Sequence, residues 1–562
     1  MEPIPAGPPG AVLPAGDHHG SLRRFLRRNV WALTSLALAF VVALPLLVIF
    51  SGWLHAQNEV WQHLASTVLR DLVVNTLVLM AGVAAGVLVL GVGLAWLTSL
   101  CEFPGRRFFD WALMLPLAIP AYVLAFVAIA LLDFTGPVQT ALREAFGAGG
   151  FWFPDIRSTG GVITVMALVL YPYVYMLSRS AFLAQGRSPL DAARSLGLGP
   201  WRAFFRVALP MARPAIIAGL SLALMETLAD FGTVAVFNYD TFTTAIYKAW
   251  FGLFNLQAAS QLASLLLLVV ALALTGERLM RGRARFHELS GAGRPVRFRL
   301  KGGRAWLASA AAGLVFTVAF VAPVSQLLLW AWDIVRDDLD PRYWQLLWNT
   351  LSLGASAAVV TVCGALLLVF AKRFGKGPVN AGAVTVATLG YALPGSVLAV
   401  GIMLVFTGMD NFLASVGRIF GPDGGAPVLT GTIAALLLAY LVRFLAVAFG
   451  PTDSAMEQIR PSLPEAARSL GARPAQIFRE VYLPLLRPGI LTAMLLVMVD
   501  VMKEMPATLL LRPFGWDTLA VRIYEMTSEG EWERAALPAI TLVAAGLLPV
   551  MVLVWRSARR PS

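Results

Sequence analysis

Two pairs of acidic residues lie inside long apolar segments of the chain. Glu226 and Asp230 are four positions apart, and Asp500 and Glu504 repeat that spacing. In a helix this spacing places both carboxylates on one face. Lys503 adds a cation to the second pair only. Charges within a membrane are costly, so these five residues either line a path for a polar solute or neutralise one another in a salt-bridged, helix-capping network. The sequence leaves both interpretations open.

Other kinds of chemical site have no clear pattern in the sequence. The five histidines form no helical pair with a carboxylate, and the two cysteines, Cys101 and Cys363, are far apart. No glycine-rich loop ends in Gly-Lys-Ser or Gly-Lys-Thr, so the usual ATP-binding motif is missing. We therefore expect no catalytic residues, no stably bound metal and no cofactor in this chain.

The elements that must position the acidic pairs are membrane helices. Of the 562 residues, 58% are hydrophobic and 14% are charged, which is more apolar surface than one soluble core can bury. A helix that crosses a bilayer needs about 20 apolar residues. Such runs occur at 30–50, 72–99, 111–132, 161–183, 213–237, 258–276, 305–332, 347–371, 383–407, 428–449, 487–510 and 535–555. The predicted fold is an all-α integral membrane protein with about twelve transmembrane helices.

The basic residues predict the orientation of these helices. If the amino terminus is cytoplasmic, 31 of the 44 lysines and arginines fall in cytoplasmic segments and ten fall outside. The remaining three, Arg179, Arg443 and Lys503, lie within or at the edge of spans. This distribution is the positive-inside pattern, so both termini are predicted to be cytoplasmic. It also accounts for the net charge of +12 without a nucleic-acid partner.

An internal repeat divides the chain into two halves. Residues 191–216 align without gaps with residues 465–490, and 14 of these 26 positions are identical at an offset of 274. The same offset pairs Pro120 with Pro394. We predict two homologous, parallel six-span halves with a pathway between them. The predicted segments are a disordered cytoplasmic tail at 1–29, a first half at 30–276 (core repeat about 71–276), a basic cytoplasmic linker at 277–304, and a second half at 305–556 (core repeat about 345–555).

Each repeated segment lies in a predicted cytoplasmic loop after the fourth span of its half. In both copies a helix-forming stretch leads to a glycine, Gly197 or Gly471, and then to Pro200 or Pro474. This order indicates a short helix, a break and a second short helix. Such a loop either packs on its own helix bundle or transmits force from a soluble partner.

Both segments resemble the cytoplasmic loop motif of ABC importer permeases, in which Glu-Ala-Ala is followed after three residues by Gly. The first copy departs from the motif because Asp replaces Glu, which keeps the carboxylate but shortens it. The resemblance implies coupling helices that dock on two copies of an ATP-binding subunit. The matching residues are Asp191, Ala192, Ala193 and Gly197 in the first copy and Glu465, Ala466, Ala467 and Gly471 in the second.

A narrower resemblance concerns the transported substrate. Residues 228–233, 241–251 and 502–517 are similar to segments of fused ferric iron permeases. Fe(III) is a hard cation that favours carboxylate and phenolate oxygens, and the acidic pairs are compatible with it. Fused thiamine permeases share the architecture, so thiamine or another small solute is the alternative substrate.

The resemblance implies the remaining properties of the system. It implies a type I importer permease in the bacterial inner membrane that receives substrate from a periplasmic or extracellular binding protein and works by alternating access, with ATP and Mg²⁺ on the partner subunit. A proton-driven secondary transporter also has twelve spans in two parallel halves, but the loop at 101–110 lacks that class's Asp-Arg pattern. A membrane-embedded enzyme is disfavoured because no catalytic constellation is present.

Overall fold

The computed structural model of the chain describes residues 18–54, 58–147, 152–185, 193, 195, 197–281, 297–420 and 429–559. Most of the predicted tail and residues 282–296 of the predicted linker therefore lie outside the described residues. Within the first part of the chain the elements are α1 His18–Ile49, α2 Asn58–Thr67, α3 Leu69–Leu100, β1 Cys101–Glu102, α4 Arg106–Ala112, α5 Ala121–Leu132, α6 Pro137–Phe146, α7 Thr159–Ala184, α8 Pro200–Ala203, α9 Leu209–Ala229, α10 Gly232–Val236, α11 Phe242–Tyr247 and α12 Leu256–Arg281.

The second part of the chain is a similar series of helices, with its strand at the beginning. Its elements are β2 Phe298–Arg299, α13 Gly303–Phe316, α14 Ala322–Asp338, α15 Pro341–Phe374, α16 Pro378–Ala387, α17 Gly395–Phe420, α18 Ile433–Glu457, α19 Ser462–Ser469, α20 Pro474–Ile477, α21 Leu483–Lys503, α22 Pro506–Leu511, α23 Leu519–Ser528 and α24 Ala536–Arg559. Short 3₁₀ or π turns lie at Phe50–Trp53, Leu115–Ala118, Phe204–Ala208, Lys248–Gly252, Thr317–Val321, Leu389–Ala392 and Phe478–Tyr482.

The membrane-spanning character of these helices follows from their length and composition. Among the described residues, eleven helical segments are long and apolar enough to cross a bilayer, and Ala536–Met551 in α24 is a shorter apolar stretch where the twelfth span is predicted. Within a helix the backbone groups bond one another, so the helix interior needs no hydrogen-bond partner from lipid. The prediction of an all-α membrane protein with about twelve spans is confirmed.

The third span of each half is not the continuous helix that the apolar runs at 111–132 and 383–407 predict. In the first half the chain forms α4, a 3₁₀ turn at Leu115–Ala118 and an extended residue, Ile119, before α5 begins. In the second half α16 and the turn at Leu389–Ala392 precede α17 in the same way. Pro120 and Pro394 cause these breaks, because proline disfavours a helical conformation in the residue before it.

The fifth spans also end earlier than predicted. The runs at 213–237 and 487–510 predict single helices, but α9 ends at Ala229 and α21 ends at Lys503. The short helices α10 and α22 follow after a change of direction. Averaged hydropathy does not detect such breaks, because the residues on both sides are apolar.

Some helices of each sequence half pack against helices of the other half. Helix α1 packs against α15, α16 and α17. Its Trp31 ring stacks on Phe370 with centroids 5.9 Å apart, and Ser35 donates a hydrogen bond of 2.7 Å to the side chain of Asn380. In the other direction α13 packs against α4, and α14 packs against α5. A half defined by sequence is therefore not a separate packing unit.

A two-residue parallel ladder joins the end of the predicted linker to the loop after α3. Cys101 pairs with Phe298, and Glu102 pairs with Arg299. Glu102 also forms an ion pair of 3.2 Å with Arg106. Burial in this corner raises the pKa of the Cys101 thiol to about 11, so this thiol stays protonated at neutral pH.

Candidate functional site

The breaks after α9 and α21 place two of the predicted acidic residues. Asp230 follows the last residue of α9, and its carboxylate accepts hydrogen bonds from the Thr233 amide (2.9 Å), the Thr233 hydroxyl (2.9 Å) and the Val234 amide (3.2 Å). These amides begin α10, which has no earlier turn to bond them. Asp230 thus caps the short helix that follows the break.

Glu504 occupies the equivalent place after α21. Its carboxylate accepts a hydrogen bond of 3.0 Å from the Ala507 amide. It also pairs with Arg443 of α18, whose Nη2 lies 3.3 Å from Oε2, and the two side chains are only 5% and 10% exposed. Because Asp230 and Glu504 lie beyond the helix ends, the prediction that each acidic pair shares one helical face is wrong.

Glu226 and Asp500 remain within α9 and α21. Glu226 accepts a hydrogen bond of 2.9 Å from the Tyr391 hydroxyl, which belongs to the second half. Asp500 has no hydrogen-bond partner among the described residues. Lys503 donates a hydrogen bond of 3.1 Å to the backbone carbonyl of Leu117 in the first half. Both hydrogen bonds therefore cross between the halves.

All five predicted residues line a single cavity of about 180 Å³. At roughly 30 Å³ per water, such a volume holds on the order of six waters or one small solute. Both halves contribute walls, as parallel repeats predict. The predicted residues that meet there are Glu226, Asp230, Asp500, Lys503 and Glu504.

Four further polar residues on the cavity wall were not predicted as site residues. One is Arg443, and a charged residue inside an apolar span was a signal that could have identified it. Tyr122, Tyr173 and Tyr391 also line the cavity, and aromatic residues in apolar spans carry no comparable signal. With Arg443 included, the cavity has four carboxylates and two cations, a formal charge of −2 if all are ionised.

The described residues contain no group of three or more His, Cys, Asp or Glu side chains arranged to hold a metal ion. Instead, Asp230 and Glu504 cap helices, Glu504 also pairs with Arg443, and Glu226 accepts a hydrogen bond from the Tyr391 phenol. Such a cavity presents oxygen atoms to a passing cation without a ready-made ligand cage.

The two repeated loops share a backbone conformation. Gly197 and Gly471 have positive φ angles of 77° and 83°, which glycine adopts at no steric cost. The amide of Leu198 donates to the Ala193 carbonyl at 3.0 Å, and the amide of Ala472 donates to the Ala467 carbonyl at the same distance. This hydrogen bond is the mark of a helix that ends at a left-handed glycine. Asp191 and Ala192 lie outside the described residues.

The second loop presents a free surface. Glu465, Ala466 and Gly471 are exposed, and Ala467 is half-buried. Leu470 is 88% exposed. A large apolar side chain held out from the body on a rigid turn is suited to a partner's groove.

Apolar helices in two homologous halves, a charged cavity between them and a left-handed glycine at the same place in both repeated loops define a membrane transport permease. The sequence profile of the binding-protein-dependent transport system inner membrane component family matches residues 87–281 and 363–560. The chain belongs to this family and is the permease subunit of an ABC importer, as the two repeated loops predict.

Individual relatives extend this assignment. The chain is 29% identical over 492 residues to the Fe(3+)-transport system permease protein FbpB 2 of Haemophilus influenzae, which covers 86% of this chain and 90% of the relative. It is 32% identical over 187 residues to the molybdenum transport system permease protein ModB of Escherichia coli, covering 33% of this chain and 80% of the relative. It is 27% identical over 266 residues to the putative 2-aminoethylphosphonate transport system permease protein PhnV of Salmonella typhimurium, covering 45% and 94%.

Proposed function

We propose that this permease moves ferric iron across the bacterial inner membrane. The observation that carries the proposal is the extent of the similarity to the Fe(3+)-transport permease, which runs through both halves and the linker region. The similarity to the molybdenum permease covers only a third of the chain. A relative that shares the fused, two-half organisation is the better guide to the cargo of a fused chain.

The chemistry of the cavity supports the same cargo. The four carboxylates and the phenols of Tyr173 and Tyr391 provide the oxygen ligands that a hard cation prefers. The negative formal charge favours entry of a cation over an anion. Because Asp230 and Glu504 are occupied as helix caps, Glu226 and Asp500 are the carboxylates best placed to meet the cargo.

We propose two copies of an ATP-binding subunit as partners, one for each repeated loop, and a binding protein on the opposite face of the membrane. ATP and Mg²⁺ belong to the partner subunits. The paired left-handed glycines support this arrangement, because Gly197 and Gly471 have the same backbone conformation in the two loops. The eight motif residues, including Asp191 and Ala192, are the proposed coupling surface.

Alternating access requires the halves to separate at the cavity. The hydrogen bonds from Tyr391 to Glu226 and from Lys503 to the Leu117 carbonyl both join the two halves. Opening of the cavity would break them and free the Glu226 carboxylate for cargo. Binding energy from the binding protein and from ATP would compensate for their loss.

One feature favours an anionic cargo instead. The Nη1 atom of Arg443 is buried and has no hydrogen-bond partner among the described residues. Together with Lys503 it could bind an oxyanion. The relatives named for transport of molybdenum and of 2-aminoethylphosphonate support this alternative cargo.

Uptake measurements in cells that lack the chain distinguish these cargoes. Cells that express the wild-type protein should accumulate radiolabelled iron, and cells that express the Gly471→Leu variant, in which the coupling loop is altered, should not. The same cells should be tested with radiolabelled molybdate, 2-aminoethylphosphonate and thiamine. Uptake of one of these solutes without uptake of iron would contradict the proposal.

A further inference from the structure

The two cations of the cavity both come from the second half. At the offset of 274, Val169 is the equivalent of Arg443 and Ala229 is the equivalent of Lys503. Val169 and Ala229 line the same cavity. The acidic positions, by contrast, are acidic in both halves. The fold therefore forms its paired breaks without any cation in the first half, and the cations are additions to one wall.

The second half also provides room for its cations. A Cβ atom at Gly395 would collide with the Glu504 carboxylate and the Arg443 guanidinium, and the first half has Ala121 at the equivalent position. A Cβ atom at Gly546 would lie 2.4 Å from the Ala118 carbonyl oxygen and 2.6 Å from Nζ of Lys503.

The first half has a larger residue in place of Gly546. Near the end of each half the alignment runs at an offset of 277, which pairs Thr241 with Thr518, the residues that precede α11 and α23. This offset places Val269 opposite Gly546. Each cation thus packs against a glycine that its counterpart lacks, and the glycine beside Lys503 also admits the Ala118 carbonyl.

Lys503 differs from Arg443 in how it is held. Arg443 forms an ion pair with Glu504, so removal of either partner leaves a buried charge. The Lys503 ammonium donates one hydrogen bond to a backbone carbonyl, and no carboxylate oxygen of a described residue lies within 4.0 Å of it. No packing or pairing requirement in the described structure explains a charge at this position.

We propose that Lys503 is a tethered counter-ion that competes with the cationic cargo for the cavity carboxylates. In the empty cavity its ammonium partly neutralises Glu226 and Asp500, and it repels a cation that enters. The cargo therefore meets carboxylates that attract it but does not remain bound. This role rests on the proposed function, because it assumes a cationic cargo, and it makes Lys503 a determinant of cargo release.

Terbium(III) binding tests this role directly. Terbium is a hard trivalent cation, and its luminescence is sensitised by nearby tyrosines such as Tyr173 and Tyr391. Full-length protein in lipid nanodiscs should bind terbium about tenfold more tightly as the Lys503→Met variant, the effect expected from removing one unit charge near a trivalent ion. Lys503→Arg keeps the charge and should bind as the wild type does. The Glu226→Gln, Asp500→Asn double variant lacks two cavity carboxylates, so the luminescence that it loses is the signal from terbium bound in the cavity.

Transport provides the second measurement. Lys503→Met should lower the maximal rate of iron uptake, because release becomes slower, and Lys503→Arg, which keeps the charge, should lower it less. Unchanged or weaker terbium binding by Lys503→Met would overturn the proposal. So would low abundance of both Lys503→Met and Lys503→Gln, since Lys503 would then be required for folding. If terbium binding tightens and the wild type takes up thiamine but no iron, the counter-ion role stands for that cation and the proposed cargo is wrong; uptake of an oxyanion would overturn both.

Discussion

Glu226 and Asp500 are equivalent residues of the repeat, and they differ from Asp230 and Glu504 in what their carboxylates contact. The latter pair bonds the amides that begin α10 and α22. Within the described part of the chain, Glu226 has one hydrogen bond, from the Tyr391 phenol, and Asp500 has none and lines the cavity. The two interpretations that the sequence left open therefore apply to different residues. The contacts of Asp230 and Glu504 are those of a capping network, and a pathway role is best tested at Glu226 and Asp500.

The Glu226→Gln, Asp500→Asn double variant should lower iron uptake about tenfold or more, because both substitutions remove negative charge that concentrates a cation in the cavity. Neither carboxylate caps a helix or forms an ion pair with a described residue, so abundance should stay near that of the wild type. Uptake of radiolabelled iron, normalised to protein abundance, measures the effect. Glu529→Gln, an exposed position in a loop, is the control. Normal uptake by an abundant double variant would contradict the pathway role.

Glu504→Gln should lower the free energy of unfolding by about 3 kcal/mol, because the buried Arg443 guanidinium loses its counter-charge. Glu504→Asp keeps that charge and matches the residue found at position 230, so it should be less damaging. Thermal unfolding of the purified protein in detergent measures both variants. Equal melting temperatures for Glu504→Gln and the wild type would show that the ion pair contributes little.

At the scale of elements, the apolar runs located the membrane helices but not their breaks. Pro120 and Pro394 were visible as a repeated pair, yet the runs at 111–132 and 383–407 are apolar on both sides of the break. The break after Ala229 has no proline beside it, whereas Pro506 begins the short helix after the break at Lys503. In both breaks an acidic side chain caps the amides that follow it, and hydropathy does not detect this local contact.

The repeated loops were predictable in more detail. Glycine followed by proline predicted a helix end, and the positive φ of Gly197 and Gly471 explains why glycine occupies both positions. The same pattern does not reveal exposure. The structure adds that Leu470 beside the second glycine is almost fully exposed, which supports a docking role for this loop.

Gly471→Leu should abolish iron uptake while the protein remains inserted and abundant. A leucine at φ 83° is strained by roughly 1–2 kcal/mol, so the loop changes shape on an exposed surface where its own bundle is not disturbed. Glu465→Lys, which reverses a charge on the same surface, should have the same effect. Gly530→Leu is the matched control, because Gly530 has a φ of 82° and is exposed in a loop at the other end of the helices.

Co-purification with the ATP-binding subunit separates the two ways in which uptake could fail. The Gly471→Leu and Glu465→Lys proteins should lose the partner, and the Gly530→Leu protein should retain it. Normal uptake by either second-loop variant with the partner still bound would show that residues 465–474 do not couple ATP hydrolysis to transport.

At the scale of the whole molecule, the packing of the helices does not follow the division into halves that the sequence repeat defines. The repeat defines the halves, but α1 packs on the second half and α13 and α14 pack on elements of the first. Hydropathy cannot predict this exchange, because every apolar helix looks equally compatible with every other. The exchange holds the halves together at their periphery, so rearrangement at the central cavity does not require them to dissociate.

The orientation in the membrane rests on the distribution of basic residues, and cysteine labelling tests it. In a background that lacks Cys101 and Cys363, single cysteines at Asp155 and Glu529 should react with a membrane-impermeant thiol reagent in intact cells. Cysteines at Lys301 and Gln476 should react only after permeabilisation. All four positions are exposed loop or loop-adjacent residues, so access to the reagent, and not burial, decides the result.

The test is sharp because the four positions come from both halves. Asp155 precedes α7, and its approximate counterpart in the second half is the segment before α18. Glu529 follows α23. Lys301 lies in the linker, and Gln476 lies in the second repeated loop. Two parallel halves with cytoplasmic termini require Lys301 and Gln476 on one face and Asp155 and Glu529 on the other. Labelling of Gln476 in intact cells would place the proposed coupling loop outside, where no ATP-binding subunit could reach it. Labelling of Lys301 alone would instead place the linker outside the cytoplasm and contradict the parallel arrangement of the halves.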